Sequence, residues 1–157
     1  MEFTYYTDYS LRVLIYAGLR GDQLCLISEI AEHYRISRNH LTKVVHGLAR
    51  GGFIHTHRGK GGGLTLARPP EEISLGAVVR HTEGPFRPVE CFRTGNLCVI
   101  TGPCSLPKIL EDASRAFLAV LDAHTLADLL RHRGLLSKRL FSPLSSPRSV
   151  ASTRSAM

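Results

Sequence analysis

The chain has 157 residues, of which 43% are hydrophobic, so it can bury one modest core with a docked extension. Its formal net charge is +7 and its sequence pI is near 9.6, which suits a polyanionic partner without requiring one. No apolar run approaches the length of a membrane span, and Arg12 interrupts the apolar stretch that a secretory signal would need. We therefore expect a cytoplasmic protein.

Three helices are predicted in the first third of the chain. Thr7 and Asp8 can cap a helix that runs to about residue 20 and carries apolar residues at helical spacing. A short helix over residues 29–34 follows, and a third over residues 37–50 begins after only two intervening residues. Two helices joined by so tight a turn indicate a helix-turn-helix.

The third predicted helix has two distinct faces. Its apolar face follows the i, i+3, i+4, i+7 spacing of a buried surface: Leu41, Val44, Val45 and Leu48. Its other face carries the residues that we predict to contact DNA: Ser37, Arg38, Asn39, His40, Thr42 and Lys43. Arginine can donate two hydrogen bonds to guanine and asparagine can pair with adenine, whereas a lysine more often meets phosphate. The alternative is an ordinary solvated helix face.

A glycine-rich loop follows the third helix. Residues 53–58 and 64–67 predict two short strands on either side of it, so the pattern is that of a winged helix-turn-helix. The loop could also cradle a nucleotide phosphate, but no Ser or Thr follows the Gly-Lys pair and a strand follows where a helix is needed. We therefore predict that Arg58 and Lys60 lie along the minor groove or the phosphates.

The charge distribution favours the same interpretation. From His33 to Pro70 the sequence has no Asp or Glu, although it contains seven Lys or Arg and five His. A cationic stretch without acidic residues is an electrostatic footprint for phosphate. The tight turn, the basic helix face and the wing together predict a DNA-binding protein.

The second half of the chain predicts a dimer. Ser74 can cap a short helix, and residues 107–121 place an apolar stripe along one face of a longer one. In so short a chain the simplest partner for that stripe is a second copy of the same helix. A two-fold dimer would also present two DNA-reading helices to a palindromic site of double-stranded DNA.

The predicted fold class is thus mainly α, with four segments in order. Residues 1–80 form the winged helix-turn-helix domain, 81–105 a cysteine loop, and 106–136 a dimerisation helix with a return segment. Residues 137–157 are expected to be a disordered tail, because the sequence from Ser142 onward is Ser-rich with almost nothing to bury.

Three cysteines lie close together in the predicted loop, at Cys91, Cys98 and Cys104. An odd number cannot pair off as disulfides, and cytosolic thiols stay reduced. Soft thiolates bind zinc or iron-sulfur clusters, and three of them leave room for a labile or foreign fourth ligand, so both cofactors are open at this point. Cys25 stands between Leu24 and Leu26 and is expected to be a small buried hydrophobe, not a ligand.

An iron-sulfur or thiol redox enzyme is an alternative of a different class. However, no Cys-x-x-Cys, nucleotide fingerprint or acid/base constellation accompanies the cysteines. We therefore predict no catalytic residues.

The sequence resembles the iron-sulfur winged-helix regulators, the family that includes IscR and RirA, from its N-terminus to about residue 140. The segments that carry the resemblance are Thr7-Asp8-Tyr9-Ser10-Leu11-Arg12, Ser37-Arg38-Asn39-His40, Arg58-Gly59-Lys60-Gly61-Gly62-Gly63 and the three cysteines. The six residues between the first two cysteines make a long spacing for this family. The tail lies outside the resemblance.

The resemblance implies a homodimeric repressor with an iron-sulfur cluster held by the three cysteines. In the members that sense nitric oxide, an aspartate from the partner subunit is a further ligand, and Asp8 occupies that position here. A 4Fe-4S cluster is expected, and a 2Fe-2S cluster is the alternative. The function that the resemblance implies is a repressor that senses nitric oxide at its cluster and then releases operator DNA. The alternatives are an iron- or cluster-responsive regulator of the same family and a zinc-stapled DNA-binding protein.

Overall fold

The structure is a computed structural model that describes residues 2–59, 61–85 and 89–142. Its regular elements are helices α1 (Tyr5–Arg20), α2 (Ile27–Tyr34) and α3 (Arg38–Arg50), strands β1 (Ile54–His57) and β2 (Gly63–Leu66), and helices α4 (Leu75–Glu83), α5 (Leu106–Asp122), α6 (Leu126–Leu129) and α7 (Arg133–Phe141). Short 3-10 turns cover Pro70–Glu72 and Glu90–Phe92. In the described part of the chain, no helix combines the length and the apolarity needed to cross a membrane.

Helices α2 and α3 form the predicted helix-turn-helix, and α1 packs against α3. α2 ends at Arg35, which adopts the left-handed conformation with φ 54°, and Ser37 already caps α3. Ile36 between them is buried and anchors the turn in the core. The prediction for α1 was wrong at its start, because Thr4 and not Thr7 caps the helix; Thr7 is completely buried within its first turn.

Strands β1 and β2 form the predicted wing. They pair antiparallel, with Ile54 opposite Leu66 and His57 opposite Gly63. An unpredicted bridge extends this sheet, since the backbone of Cys25 and that of Leu64 exchange two hydrogen bonds of 2.9 Å. A Cβ atom on Gly63 would lie 2.6 Å from the carbonyl oxygen of Cys25, so only glycine permits this approach.

The core also includes residues from the C-terminal half of the chain. Leu126 of α6 is fully buried with Val13 and Leu14 of α1. Phe141 of α7 packs edge-on against Tyr16, with ring centroids 5.2 Å apart. The prediction of a disordered tail from residue 137 was therefore wrong for residues 137–141, which complete α7; residues 143–157 lie outside the described part of the chain.

Helix α5 spans the predicted dimerisation segment and packs on α4. Within the described single chain, α5 has no fully buried residue. Ile109 and Val120 of its apolar stripe are 59% and 62% exposed. The apolar stripe therefore exists as predicted, and the described residues of the single chain do not cover it.

Candidate functional site

The polar face of α3 is exposed, and its N-terminus is capped. The hydroxyl of Ser37 accepts a hydrogen bond from the backbone N–H of His40 at 3.3 Å. All the residues of α3 and its cap that the sequence predicts to contact DNA are exposed: Ser37, Arg38, Asn39, His40, Thr42 and Lys43. On the opposite face Leu41 and Leu48 are completely buried. α3 is thus held by its apolar face, while its polar face is free to meet a partner molecule.

Two contacts on this surface determine which groups of its residues remain available to a partner molecule. Thr42 donates its hydroxyl proton to the carbonyl oxygen of Arg38 at 2.8 Å, so its methyl group and oxygen lone pairs remain for a partner. The ring of His40 lies 6.3 Å from the ring of Tyr9 on α1. Sequence reasoning missed Tyr9, because a contact between residues 31 positions apart has no local spacing that could signal it.

Two described arginines near the wing have different roles, since Arg58 is exposed and Arg68 contacts the rest of the domain. Arg58 is exposed beside Gly59, whose φ of +105° makes the turn, whereas Lys60 lies outside the described residues. Arg68 instead donates to the carbonyl oxygen of Gly52 at 3.0 Å and lies over the ring of Phe53, so it holds the turn between α3 and β1. One cation of the acid-free stretch is therefore structural.

The three loop cysteines lie between α4 and α5 and are all half-buried free thiols. Cys91 is in the 3-10 turn, and the carbonyl oxygen of Cys98 accepts a hydrogen bond from the N–H of Thr101 at 3.1 Å. Cys104 directly precedes Ser105, which occupies the N-cap position of α5.

This donor set suits an iron-sulfur cluster by its chemistry, because iron prefers thiolates. However, the described residues of the single chain contain no group of three or more His, Cys, Asp or Glu arranged to hold a metal ion. The fold brings the cysteines onto one loop but does not assemble them, with or without Asp8, into a closed site.

Asp8 lies in the first turns of α1 and is paired with Arg12. Arg12 Nη2 lies 2.8 Å from one carboxylate oxygen and Arg12 Nε lies 3.0 Å from the other. Both side chains are 41% exposed, so solvent screens the pair and a competing ligand has access to the carboxylate. The guanidinium also lies over the rings of Tyr9 and Tyr34, at 5.9 and 5.7 Å.

Cys25 differs from the loop cysteines, as predicted. Its side chain is completely buried, and burial raises the pKa of its thiol to about 11. A thiol that resists ionisation is a poor nucleophile and a poor metal ligand.

Residues 3–132 of the chain match the Rrf2 family, described as iron-dependent transcriptional regulators. The chain belongs to the Rrf2 family. Its relatives include the HTH-type transcriptional regulator NsrR of Bacillus subtilis, 50% identical over 142 residues, which are 89% of this chain and 97% of the relative. The NsrR of Geobacillus kaustophilus is 49% identical with the same coverage.

Solved structures of the family have the same fold. The structure of CymR, the global cysteine regulator of B. subtilis, superposes with a TM-score of 0.69 at 26% identity and covers 84% of this chain and 98% of its own. IscR of T. potens, at 24% identity and a TM-score of 0.63 over 84% of this chain and 88% of its own, shows the fold alone. The predictions of a winged helix-turn-helix, of a transcriptional regulator and of a protein that is not an enzyme are confirmed.

Proposed function

We propose that this Rrf2 protein is a homodimeric repressor that carries an iron-sulfur cluster and releases its operator DNA when nitric oxide attacks that cluster. The observation that carries the proposal is the joint presence of an exposed, capped DNA-reading helix and a loop with three free, half-buried cysteines. Relatives that share about half of the sequence are named NsrR, which supports the nitric-oxide branch of the family.

DNA recognition would use α3 and the wing. Arg38 and Asn39 lie in the first turn of α3, where a helix that enters a major groove reaches base edges. Lys43 is one turn further along, and Arg58 lies at the wing; both would meet phosphates, as would Lys60. Ser37 keeps the first turn intact by capping it.

Cys91, Cys98 and Cys104 would hold the cluster, and Asp8 of the second copy would complete its ligand set. When bound, the cluster supplies iron that reacts with nitric oxide, and an oxygen ligand is easier to displace from iron than a thiolate. In the described chain Asp8 uses both oxygens on Arg12. Recruitment of Asp8 to a cluster would therefore weaken that pair and change the position of Arg12.

A shift in the position of Arg12 would reach the exposed face of α3 through one intervening residue. Its guanidinium lies over the ring of Tyr9, and Tyr9 contacts His40 on the exposed face of α3. Cluster binding would thus change the position of α3 through α1. A ligand shifts such an equilibrium only if it stabilises one arrangement more than the other, and a tie between subunits meets that condition.

A regulator that responds to iron or cluster supply is the second candidate. The family description, iron-dependent transcriptional regulator, favours it. The same ligand set would serve, and loss of the whole cluster would replace nitric oxide as the signal.

The first test is anaerobic visible spectroscopy of full-length protein after assembly with iron and sulfide, before and after nitric oxide. We expect a brown protein that bleaches with nitric oxide and then loses operator affinity. Cys91→Ala, Cys98→Ala and Cys104→Ala should each abolish stable colour, whereas the control Cys25→Ala should keep it. A colourless parent that binds zinc would contradict the proposal, and a cluster indifferent to nitric oxide but lost on iron chelation would favour the second candidate.

The second test concerns Asp8. Asp8→Ala should stay coloured, since three thiolates remain, but its DNA affinity should no longer respond normally to nitric oxide. A mixed dimer of Asp8→Ala and Cys98→Ala subunits should retain one intact site if Asp8 acts across the dimer. An Asp8→Ala protein that equals the parent in spectrum, nitric oxide response and operator affinity would remove Asp8 from the ligand set.

The third test concerns DNA reading. Arg38→Ala should weaken binding to a selected operator by roughly 1–3 kcal/mol, the contribution of one bidentate base contact. Arg139→Ala on the exposed surface of α7 makes the same change of charge and should leave specificity intact. Equal effects of the two substitutions would show that Arg38 acts only through its charge.

A further inference from the structure

Helix α4 lies between α5 and α3 and contacts both through adjacent residues. Arg80 donates from both terminal nitrogens to the carboxylate of Asp122, the last residue of α5, with Nη1 at 2.6 Å from Oδ1. His81 places its Nε2 atom 2.8 Å from the carbonyl oxygen of Gly47 in α3. Because a carbonyl oxygen only accepts, Nε2 carries the proton of this hydrogen bond. Two neighbouring residues of α4 thus connect it to α5 and to α3.

The side chain of Asp122, at the end of α5, packs directly against the backbone of α4. Gly76 is buried one turn before Arg80, and a Cβ atom there would lie 2.0 Å from Asp122 Oδ1. The N–H of Leu75 also donates to the carbonyl oxygen of His124 at 3.0 Å, just beyond α5. The end of α5 is therefore attached to α4 at several points and would move with it.

The pair of Arg80 and Asp122 fixes orientation more than it stabilises the fold. The two side chains are 48% and 41% exposed, and ion pairs in water contribute little to folding. A bidentate pair nevertheless holds both groups in one plane, which restricts rotation of one helix about the other. The hydrogen bonds from Arg80 also lower the pKa of Asp122 below its ordinary value, so the carboxylate stays charged to a lower pH than that of a free aspartate.

We propose that Arg80 and His81 are positioning residues, through which α4 transmits the setting of α5 to α3 and fixes the distance between the two DNA-reading helices of the dimer. The inference rests on the proposed function, because it requires a dimer built on α5 that reads two half-sites. Half-sites of such dimers lie about 34–36 Å apart, so a small rotation of α4 would take one α3 out of register with its groove.

The test measures preference for half-site spacing. A duplex selected from a random pool by the full-length parent is compared with the same duplex after its half-sites are moved apart by two base pairs. Arg80→Lys keeps the charge but loses planar bidentate pairing, so we expect the parent's preference to fall about fivefold or more. Affinity for an isolated half-site and the thermal unfolding midpoint should stay at the parent's values.

His81→Ala should reduce the spacing preference in the same way. His81→Gln should restore part of it, because its amide can donate to the carbonyl oxygen of Gly47. Asp112→Asn is the matched control, since Asp112 is an exposed carboxylate of α5 that pairs within its own helix with Lys108 and Arg115. It should leave the spacing preference unchanged.

Three results would overturn the inference, and they are distinguishable. A parent-like spacing preference in both Arg80→Lys and His81→Ala would show that α4 does not set the spacing, while DNA binding by a dimer would stand. Equal losses on half-sites and full sites would show a merely structural role. A parent that selects no paired half-sites would overturn the proposed function together with the inference.

Discussion

The DNA-reading half of the chain and the cysteine half are built on different principles. In the first, α1 to α3 surround a core in which residues such as Leu14 and Leu41 are completely buried. In the second, α5 carries an apolar stripe that no described part of the chain covers fully. The cysteine loop leaves Leu97 and Val99 85% and 97% exposed.

This difference separates what the chain stabilises by itself from what it does not. Most helix stability in proteins comes from burying an apolar face, so α1 to α3 are secured by their own core. Among the described residues, α5 has no fully buried residue and the loop exposes its apolar side chains, so neither has that contribution in full. A second copy and a cofactor are the two groups that the proposed function supplies.

The largest expected effect is the difference in unfolding free energy between removing a buried side chain of α3 and removing an exposed side chain of the loop. Leu41→Ala removes a fully buried side chain of α3 and should lower the free energy of unfolding by about 2–5 kcal/mol. Val99→Ala, in the exposed loop, should change it by less than about 0.5 kcal/mol. Urea unfolding measures both. Similar losses for the two variants would mean that the loop is packed as firmly as the core.

Thiol reactivity should divide the cysteines along the same line. The pKa of Cys25 is raised from 9.0 to about 11 by burial, which lowers its thiolate fraction near pH 8 by about a hundredfold. In reduced, cluster-free protein we expect a thiol reagent to label Cys91, Cys98 and Cys104 quickly and Cys25 only after denaturation. Mass spectrometry of the labelled peptides identifies each site. Fast labelling of Cys25 in the native protein would show that the core opens readily.

Charge placed on the stripe of α5 should weaken self-association without unfolding the first region. Ile109→Glu or Val120→Glu should raise the dimer dissociation constant by about tenfold or more, equivalent to about 1.4 kcal/mol. Lys108→Glu adds the same side chain at an exposed position of the same helix and is the control. Sedimentation equilibrium measures the constant. If the control and the stripe variants behave alike, the stripe is not the dimer contact.

The smallest effect compares two serine caps. Ser37 accepts a hydrogen bond from the backbone of α3, so Ser37→Ala should cost about 1 kcal/mol of stability. Ser105 precedes α5 but makes no side-chain cap hydrogen bond among the described residues, and Ser105→Ala should cost much less. Thermal unfolding at one protein concentration compares the two. A larger loss at Ser105 would indicate that the start of α5 is rearranged in the assembled protein.

Local patterns predicted the DNA-reading half well. The spacing of Leu41, Val44, Val45 and Leu48 and the cap at Ser37 gave α3 to within one residue, because both signals lie within a few positions of each other. The predicted DNA-contacting residues that the structure describes are all exposed on that helix and on the wing. Their contact with DNA stays a prediction.

Contacts between distant residues could not be predicted in this way. The bridge of Cys25 with Leu64 and the pair of Arg80 with Asp122 join positions with no sequence period in common. The cysteine cluster, the fourth ligand and the dimer also stay predictions, since they require groups that a single chain does not contain. The tail prediction was wrong at residues 137–141. The Ser-rich sequence begins only after α7, so composition could not indicate that Phe141 is still helical and packs against the core.

The packing of α6 and α7 against α1 has a practical consequence for protein engineering. Leu130 lies against α1 so closely that a Cβ atom on Gly18 would be 2.6 Å from its Cδ1 atom, and the guanidinium of Arg20 lies 4.6 Å from the centre of the Phe141 ring. A truncated fragment that stopped after the wing would leave this side of α1 open to water and to other molecules. The winged helix-turn-helix segment therefore cannot be excised after the wing and fused to a different sensor domain. A chimera must keep α6 and α7, because they cover α1.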